Sequence, residues 1–278
     1  MYFIVVAYLF ELVAGAIVFL LGAAIGSFLN VVVYRLPAEM SLLHPPSRCP
    51  VCLHRLRKRE NVPVLGWLLL RGRCAHCRTS ISPRYPLVEA ATGFLFLVVF
   101  WSFGFSWQAI GYWAFVSWLL ALALIDLDTM TLPNPLTQSG LVLGLGFQAG
   151  LGWVQTGTLA GAIVQFMVGA IGAVVGIWLV DTIGFGGSLV FGQTAMGAGD
   201  SKLAAMMGAW LGWKLLLLAG FMACVFGVVV GVGAIAVGRR EWRQTLVFGP
   251  FLALSALLTT LWGEAILAAY FRLFFPSL

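Results

Sequence analysis

Long apolar runs dominate the chain, and its polar residues gather mostly in the gaps between them. A helix needs roughly 20 consecutive apolar residues to cross the hydrocarbon core of a bilayer. Runs of that kind lie near 3–33, 86–103, 107–125, 136–153 and 159–180. Beyond them, 203–212 is short for a span, 215–237 is ample, and 246–275 is long enough to tilt or overhang. The pattern predicts an all-α polytopic membrane protein with about eight transmembrane helices, or about seven if the short run merges or re-enters. The first run is too long for a removable signal peptide and lacks a basic start. It leads into Asn30-Val31-Val32-Val33-Tyr34-Arg35 with no small-residue cleavage site, so it is expected to stay as a span.

Composition agrees. Only 9% of the 278 residues are charged and 61% are hydrophobic, whereas soluble domains carry about 25% charged residues. The net charge of +6 raises the question of nucleic acid, but the cations are unevenly placed: 10 of the 16 Lys and Arg lie in 35–84, opposed there by Glu39 and Glu60 alone. That bias reads as topology, with 35–84 in the cytosol and the N-terminus outside. Membrane lipids are therefore expected as neighbours and nucleic acid is not. Threading the spans brings Asp126, Asp181, Asp200 and the cluster Arg239, Arg240 and Arg243 to the cytosolic face as well.

The basic segment has a metal-site spacing. Cys49-Pro50-Val51-Cys52 and Cys74-Ala75-His76-Cys77 are two C-x2-C knuckles with 21 residues between them, the pattern of a four-cysteine zinc ribbon. Two disulfides are the alternative, and a reducing cytosol disfavours them. His54 and His76 lie near enough to substitute as ligands, although four cysteines already close a tetrahedral shell. The expected metal is a structural zinc, and the expected division is 1–34 as the first transmembrane helix, 35–85 as the zinc domain and 86–278 as the multi-span membrane domain. Cys224, inside an apolar run, reads as a small buried hydrophobe.

Two short stretches put carboxylates at the edges of apolar runs, Asp126-Leu127-Asp128 and Gly197-Ala198-Gly199-Asp200. An ionisable side chain there is costly without a task, and two carboxylates can divide the work of general base and general acid. Asp126 and Asp200 are the expected pair. Asp128 is the weaker candidate, because residues two apart on a helix point to different sides. Gly197 and Gly199 would let the backbone turn sharply and approach a substrate closely. By itself Gly-x-Gly-Asp would read as a helix cap; the partner aspartate favours chemistry.

These residues also carry a resemblance. Gly26-Ser27-Phe28-Leu29-Asn30-Val31-Val32 with Arg35-Leu36-Pro37, the cysteine knuckles, Arg84-Tyr85-Pro86-Leu87-Val88-Glu89, Ile125-Asp126-Leu127-Asp128 with Leu132-Pro133, Met196-Gly197-Ala198-Gly199-Asp200-Ser201-Lys202-Leu203 and Phe248-Gly249-Pro250-Phe251 resemble, in order, the blocks of the type IV prepilin peptidases. The resemblance implies an aspartic endopeptidase of the bacterial cytoplasmic membrane. It would remove the basic leader of prepilins and of the pseudopilins of type II secretion, and commonly methylate the new N-terminus with S-adenosylmethionine. It places the catalytic aspartates on Asp126 and Asp200 and the zinc ligands on Cys49, Cys52, Cys74 and Cys77. Two departures stand out: Leu132-Pro133-Asn134 where the family usually has Leu-Pro-Asp, and a long glycine-rich linker over 181–196.

Other features have blander readings. Gly22-x3-Gly26, Gly208-x3-Gly212 and Gly227-x3-Gly231 are small-residue spacings that let helices approach. Glu11 and Glu264 would line a cavity or sit at an interface. Glu89 would bind a positive leader or pair with Arg84, and Lys202 would tune the dyad, hold a substrate carboxylate or snorkel. No Rossmann-type glycine loop marks a methyl-donor site. The rival readings are an ion- or proton-coupled transporter, for which the expected internal repeat is missing, and a non-enzymatic zinc-ribbon scaffold of a secretion system.

Overall fold

The structure, a computed structural model, describes residues 2–192, 196–238 and 247–275. It is helical, and the described residues contain no strand beyond isolated bridges. In chain order the α-helices are α1 (Tyr2–Arg35), α2 (Leu65–Leu69), α3 (Arg84–Phe103), α4 (Trp107–Thr129), α5 (Asn134–Thr156), α6 (Leu159–Phe191), α7 (Ala198–Ala236) and α8 (Gly249–Phe274). Six of them are long and apolar enough to cross a membrane: α1, α3, α4, α6, α7 and α8. With no water to bond backbone groups in hydrocarbon, helix is the form such runs take. The chain divides into two compact units, Met1–Ser117 and Trp118–Leu278.

In the first unit α1 and α3 pack antiparallel through small residues. A Cβ at Gly22 would come within 2.8 Å of Phe96 and 2.9 Å of the Gly93 backbone, and one at Gly26 within 2.8 Å of the Glu89 backbone. The Gly22-x3-Gly26 spacing therefore does what close helix packing requires. Asn30 Nδ2 donates to the Tyr85 carbonyl at 3.1 Å and closes the end of the pair.

In the second unit α5 presents Thr137, Gly140, Gly144, Phe147, Gln148 and Gly152 on one buried face. Trp210 of α7 lies over Gly144. The Trp210 indole donates to the Gly140 carbonyl, and Gln148 Nε2 to the Trp210 carbonyl, both at 2.8 Å.

That carbonyl lies two positions before an interruption. Gly212 has φ 73° and ψ 169° inside α7, a region essentially reserved for glycine. The contacts of α7 with α6 change direction there. Gly176 lies against Ala204, Gly172 against Gly208 and Gly212, and Val168 against Gly212; then Gly220 lies against Leu179. The partner number falls as far as Gly212 and rises beyond it, so the chain reverses at that glycine. The second arm returns along α6 and meets α8, with Leu215 near Gly263 and Met222 near Thr259. The expected runs 203–212 and 215–237 are thus two arms of a helical hairpin, the first almost wholly buried.

Three expectations change. Cys224, read as a small buried hydrophobe, is exposed on α7. The glycine-rich stretch from Asp181 is not a linker but continues α6 to Phe191, since helix satisfies every backbone group internally even where glycine propensity is poor. A Cβ at Gly231, the second glycine of Gly227-x3-Gly231, would meet nothing within 4 Å among the described residues. Arg239, Arg240 and Arg243 lie outside the described residues.

Candidate functional site

Asp126 lies in the last turn of α4 and is only 6% exposed. Its Oδ2 accepts a hydrogen bond from the backbone N–H of Gly249 at 3.0 Å. Gly249 is the first residue of α8, where the helix leaves N–H groups without internal partners and the dipole favours an anion. Pro250, the next residue, has no N–H to offer.

Asp200 lies in the first turn of α7. Gly197 is the N-cap and Asp200 the third helical residue, with its N–H bonded to the Gly197 carbonyl at 3.1 Å. The Gly197 amide in turn hydrogen-bonds the Asp200 carboxylate, and the charge of Asp126 acts on it. The structure thus brings Asp126 and Asp200 within electrostatic reach, each held by an amide at a helix N-terminus. Asp128 is exposed where Asp126 is buried, as two-residue spacing on a helix requires.

Gly197 has φ −81° and ψ 148°. Gly199 supplies room: a Cβ there would meet Leu132 at 3.1 Å. The residues after Asp200 fasten α7 to its neighbours. Ser201 Oγ donates to Asp181 Oδ1 of α6, and Lys202 Nζ donates to Asn134 Oδ1 at the start of α5, at 2.7 Å. Asn134, the departure from Leu-Pro-Asp, is thus the residue that receives Lys202.

In the other unit the four cysteines converge. Each knuckle folds back on itself: Cys49 N–H donates to the His54 carbonyl at 2.9 Å and Cys74 N–H to the Thr79 carbonyl at 2.8 Å. Leu53 and Arg78, each the residue after the second cysteine of its knuckle, both take a positive φ. All four sulfurs lie within 4.8 Å of one another, the arrangement of a site that could hold a metal ion. The closest pairs, Cys49 with Cys77 at 3.8 Å and Cys52 with Cys74 at 3.9 Å, are far longer than the ~2.05 Å of a disulfide. Backbone N–H groups of Cys52 and Val51 pull the Cys49 thiol down to about 6. Cys52 has the His54 amide acting to lower it, yet desolvation and the neighbouring thiols push it up to about 11. Four negative sulfurs cannot gather without a cation. His54 and His76 stack on each other at 5.0 Å and stay out of the cluster.

Glu89 accepts the Val64 N–H at 2.7 Å and so ties the cysteine segment to α3. Glu11 lines a crevice of about 420 Å³ between α1 and α3 with Leu12, Phe19, Leu97 and Trp101, and Glu264 is exposed on α8. Sequence reasoning gave no role to Gly249 or Asp181. Phe248-Gly249-Pro250-Phe251 entered only as one of the resembling blocks, and nothing local told which anion its glycine would face.

Comparison with known proteins bears on this arrangement. Residues 20–103 match the bacterial peptidase A24 N-terminal domain, and residues 113–232 match the type IV leader peptidase family. The chain is 40% identical over 277 residues to the prepilin leader peptidase/N-methyltransferase of Stutzerimonas stutzeri, covering 91% of this chain and 92% of that protein. It is 39% identical over 275 residues to the protein of that name from Pseudomonas putida, with 91% and 92% covered. Against the one from Neisseria gonorrhoeae it is 37% identical over 263 residues, with 84% and 86% covered. No solved structure matches. With likeness along nearly its whole length and both family models in sequence order, this chain belongs to the type IV leader peptidase family.

Proposed function

We propose that this chain is a membrane aspartic endopeptidase that cleaves the basic leader from type IV prepilins and pseudopilins and methylates the N-terminus it exposes, with Asp126 and Asp200 as the catalytic pair. The observation that carries the residue assignment is the convergence of a buried Asp126 and an Asp200 that feels its charge, each held by a helix-terminal amide. Two carboxyls so placed share a proton and titrate as a pair. The ionised member takes a proton from a water molecule, whose oxygen attacks the scissile carbonyl carbon. The protonated member donates a hydrogen bond to the carbonyl oxygen, and a proton then passes to the leaving amine as the C–N bond breaks. The Gly249 N–H fixes the face that Asp126 presents. Gly197 and Gly199 are accessory, as amide donor and as space, and Lys202 positions α7 through Asn134.

Zinc suits the cysteine cluster. A tetrahedron of thiolates about 2.3 Å from the metal has edges of about 3.8 Å, which the 3.8 and 3.9 Å pairs match. Cys49, Cys52, Cys74 and Cys77 would fill its shell and leave no position for water, so its part is structural. The methyl donor is S-adenosylmethionine, inferred from the N-methyltransferase name of the relatives. The setting is the bacterial cytoplasmic membrane, with the cysteine segment in the cytosol by its charge bias.

The test is cleavage of a prepilin leader by purified protein. Asp126→Asn and Asp200→Asn should each abolish it while leaving a folded, membrane-inserted chain, because Asn keeps the size and cannot exchange the proton. Full activity in both variants would exclude the dyad, and no cleavage by the unaltered protein would favour a transporter or a scaffold.

A further inference from the structure

Helix α2 is short, apolar and turned outward. Leu65, Leu68 and Leu69 lie on one helical face by their spacing and are 51%, 54% and 79% exposed. The opposite side is fastened: Gly66 lies against the Glu60 carbonyl, and the Trp67 ring covers Gly72 while its Nε1 donates to the Ile81 carbonyl at 3.0 Å. The three leucines are therefore held in place, and no neighbour from their own unit covers them.

The level at which α2 begins is set by its N-cap, Val64, whose N–H is bound by Glu89 at 2.7 Å. Glu89 is the sixth residue of α3, about 7.5 Å along the axis from Arg84 at 1.5 Å per residue. Side chains on a helix lean toward its N-terminus, which brings the bond to within about a turn of Arg84. With 20 residues, α3 is just long enough to cross the hydrocarbon, so Arg84 stands at the headgroup layer and α2 starts at or just below it. Arg71 and Arg73 come directly after α2 and are exposed. The segment 35–84 carries 10 cations against Glu39 and Glu60. Glu60 is already bound to the Arg57 N–H at 3.0 Å, and Glu89 to Val64. Leucines at the acyl boundary with arginines beside them are the chemistry of an interfacial lipid anchor.

We infer that α2 is a membrane hook: Leu65, Leu68 and Leu69 insert into the leaflet that the cysteine segment faces, and Arg71 and Arg73 contact anionic headgroups, so that the metal-binding segment lies on the bilayer instead of standing free of it. The reading depends on α1 and α3 spanning the membrane and is independent of the dyad.

The experiment uses the full chain in vesicles of phosphatidylcholine and phosphatidylglycerol, with a fluorescent non-natural residue at position 69, position 58 or position 178. Position 58 is an exposed residue of the same segment, and position 178 an exposed residue of the α6 span. Metal content confirms that each variant is folded. Lipids brominated high on the acyl chain should quench the probe at 69 several-fold more than the probe at 58, as they should at 178, and omitting phosphatidylglycerol should weaken quenching at 69 alone. Quenching at 69 no stronger than at 58 while 178 is quenched overturns the inference. So does emission at 69 that changes on diluting the protein in the membrane and ignores bromine, since a second copy would then cover the leucines.

Discussion

The backbone N–H of Gly249 points at Oδ2 of Asp126 from 3.0 Å, across 123 positions of sequence. A Cβ on Gly249 would fall on that carboxylate, with its Cγ at 3.0 Å and its Cβ at 3.3 Å. The glycine is thus set by close approach and not by a special φ, and α8 and Asp126 can meet only if that position has no side chain.

Gly249→Ala should therefore disable cleavage without disturbing insertion. The methyl group must displace either Asp126 or the first turn of α8, and a shift of about 1 Å at a catalytic group can cost on the order of 10²-fold. Steady-state cleavage of a prepilin substrate should show the loss in kcat with KM little changed, because the carboxylate is asked to act on the water and not to hold the leader. Unchanged kcat would show that Asp126 need not be fixed by α8.

Asp128→Asn should retain most activity. Asp128 stands on the exposed side of the helix end from which Asp126 points inward, and a general base must reach its proton within hydrogen-bond distance or through one water. Single-turnover cleavage by Asp128→Asn beside Asp126→Asn separates the two. A dead Asp128 variant with an active Asp126 variant would exchange their roles.

Much of this was legible in the sequence because hydrocarbon leaves few choices. Runs such as 86–103 and 107–125 become α3 and α4 within a few residues, and the cysteine spacing carried its own geometry. Asp126 and Asp128 separated as helical period requires. What stayed hidden depends on contacts between distant segments. From sequence Lys202 could tune the dyad, hold a substrate carboxylate or snorkel, and Glu89 could bind a leader or pair with Arg84; their bonds to Asn134 and to the Val64 N–H are partners that no local pattern names. The glycines of 181–191 suggested a loop because propensity was measured against water, whereas an apolar setting holds the backbone helical.

Gly212 marks the reversal of α7, and Gly212→Ala should destabilise the protein. Its φ of 73° is strained for any side chain, and a Cβ would meet Val168 at 2.8 Å; an L-residue in such a region costs about 1–3 kcal/mol. Gly146→Ala is the control, since a Cβ there would meet nothing within 4 Å among the described residues and its φ is ordinary; helix propensity there favours Ala by up to about 1 kcal/mol. Thermal unfolding in detergent should give a lower midpoint for Gly212→Ala and an equal or higher one for Gly146→Ala. Equal midpoints for both would mean that the reversal survives a side chain.

Metal removal should separate structure from chemistry. A zinc held by four thiolates has no open position at which to activate water, while the carboxylate pair is complete without it. Purified protein should contain about one zinc per chain on that stoichiometry. Cys49→Ser and Cys77→Ser should each lose it and lower protein abundance or apparent leader affinity more than kcat. Because binding needs thiolates, the metal should also leave as the pH falls and the sulfurs take protons. The amides of Cys52 and Val51 hold the Cys49 thiol down near 6, which favours the thiolate form that a metal requires. Metal analysis across an acid series, run beside cleavage assays and proteolysis of the cysteine segment, checks each part. If metal-free protein resisted proteolysis, bound leader normally and lost only the hydrolytic step, zinc would belong in the active site and the division of labour between cysteines and aspartates would be wrong.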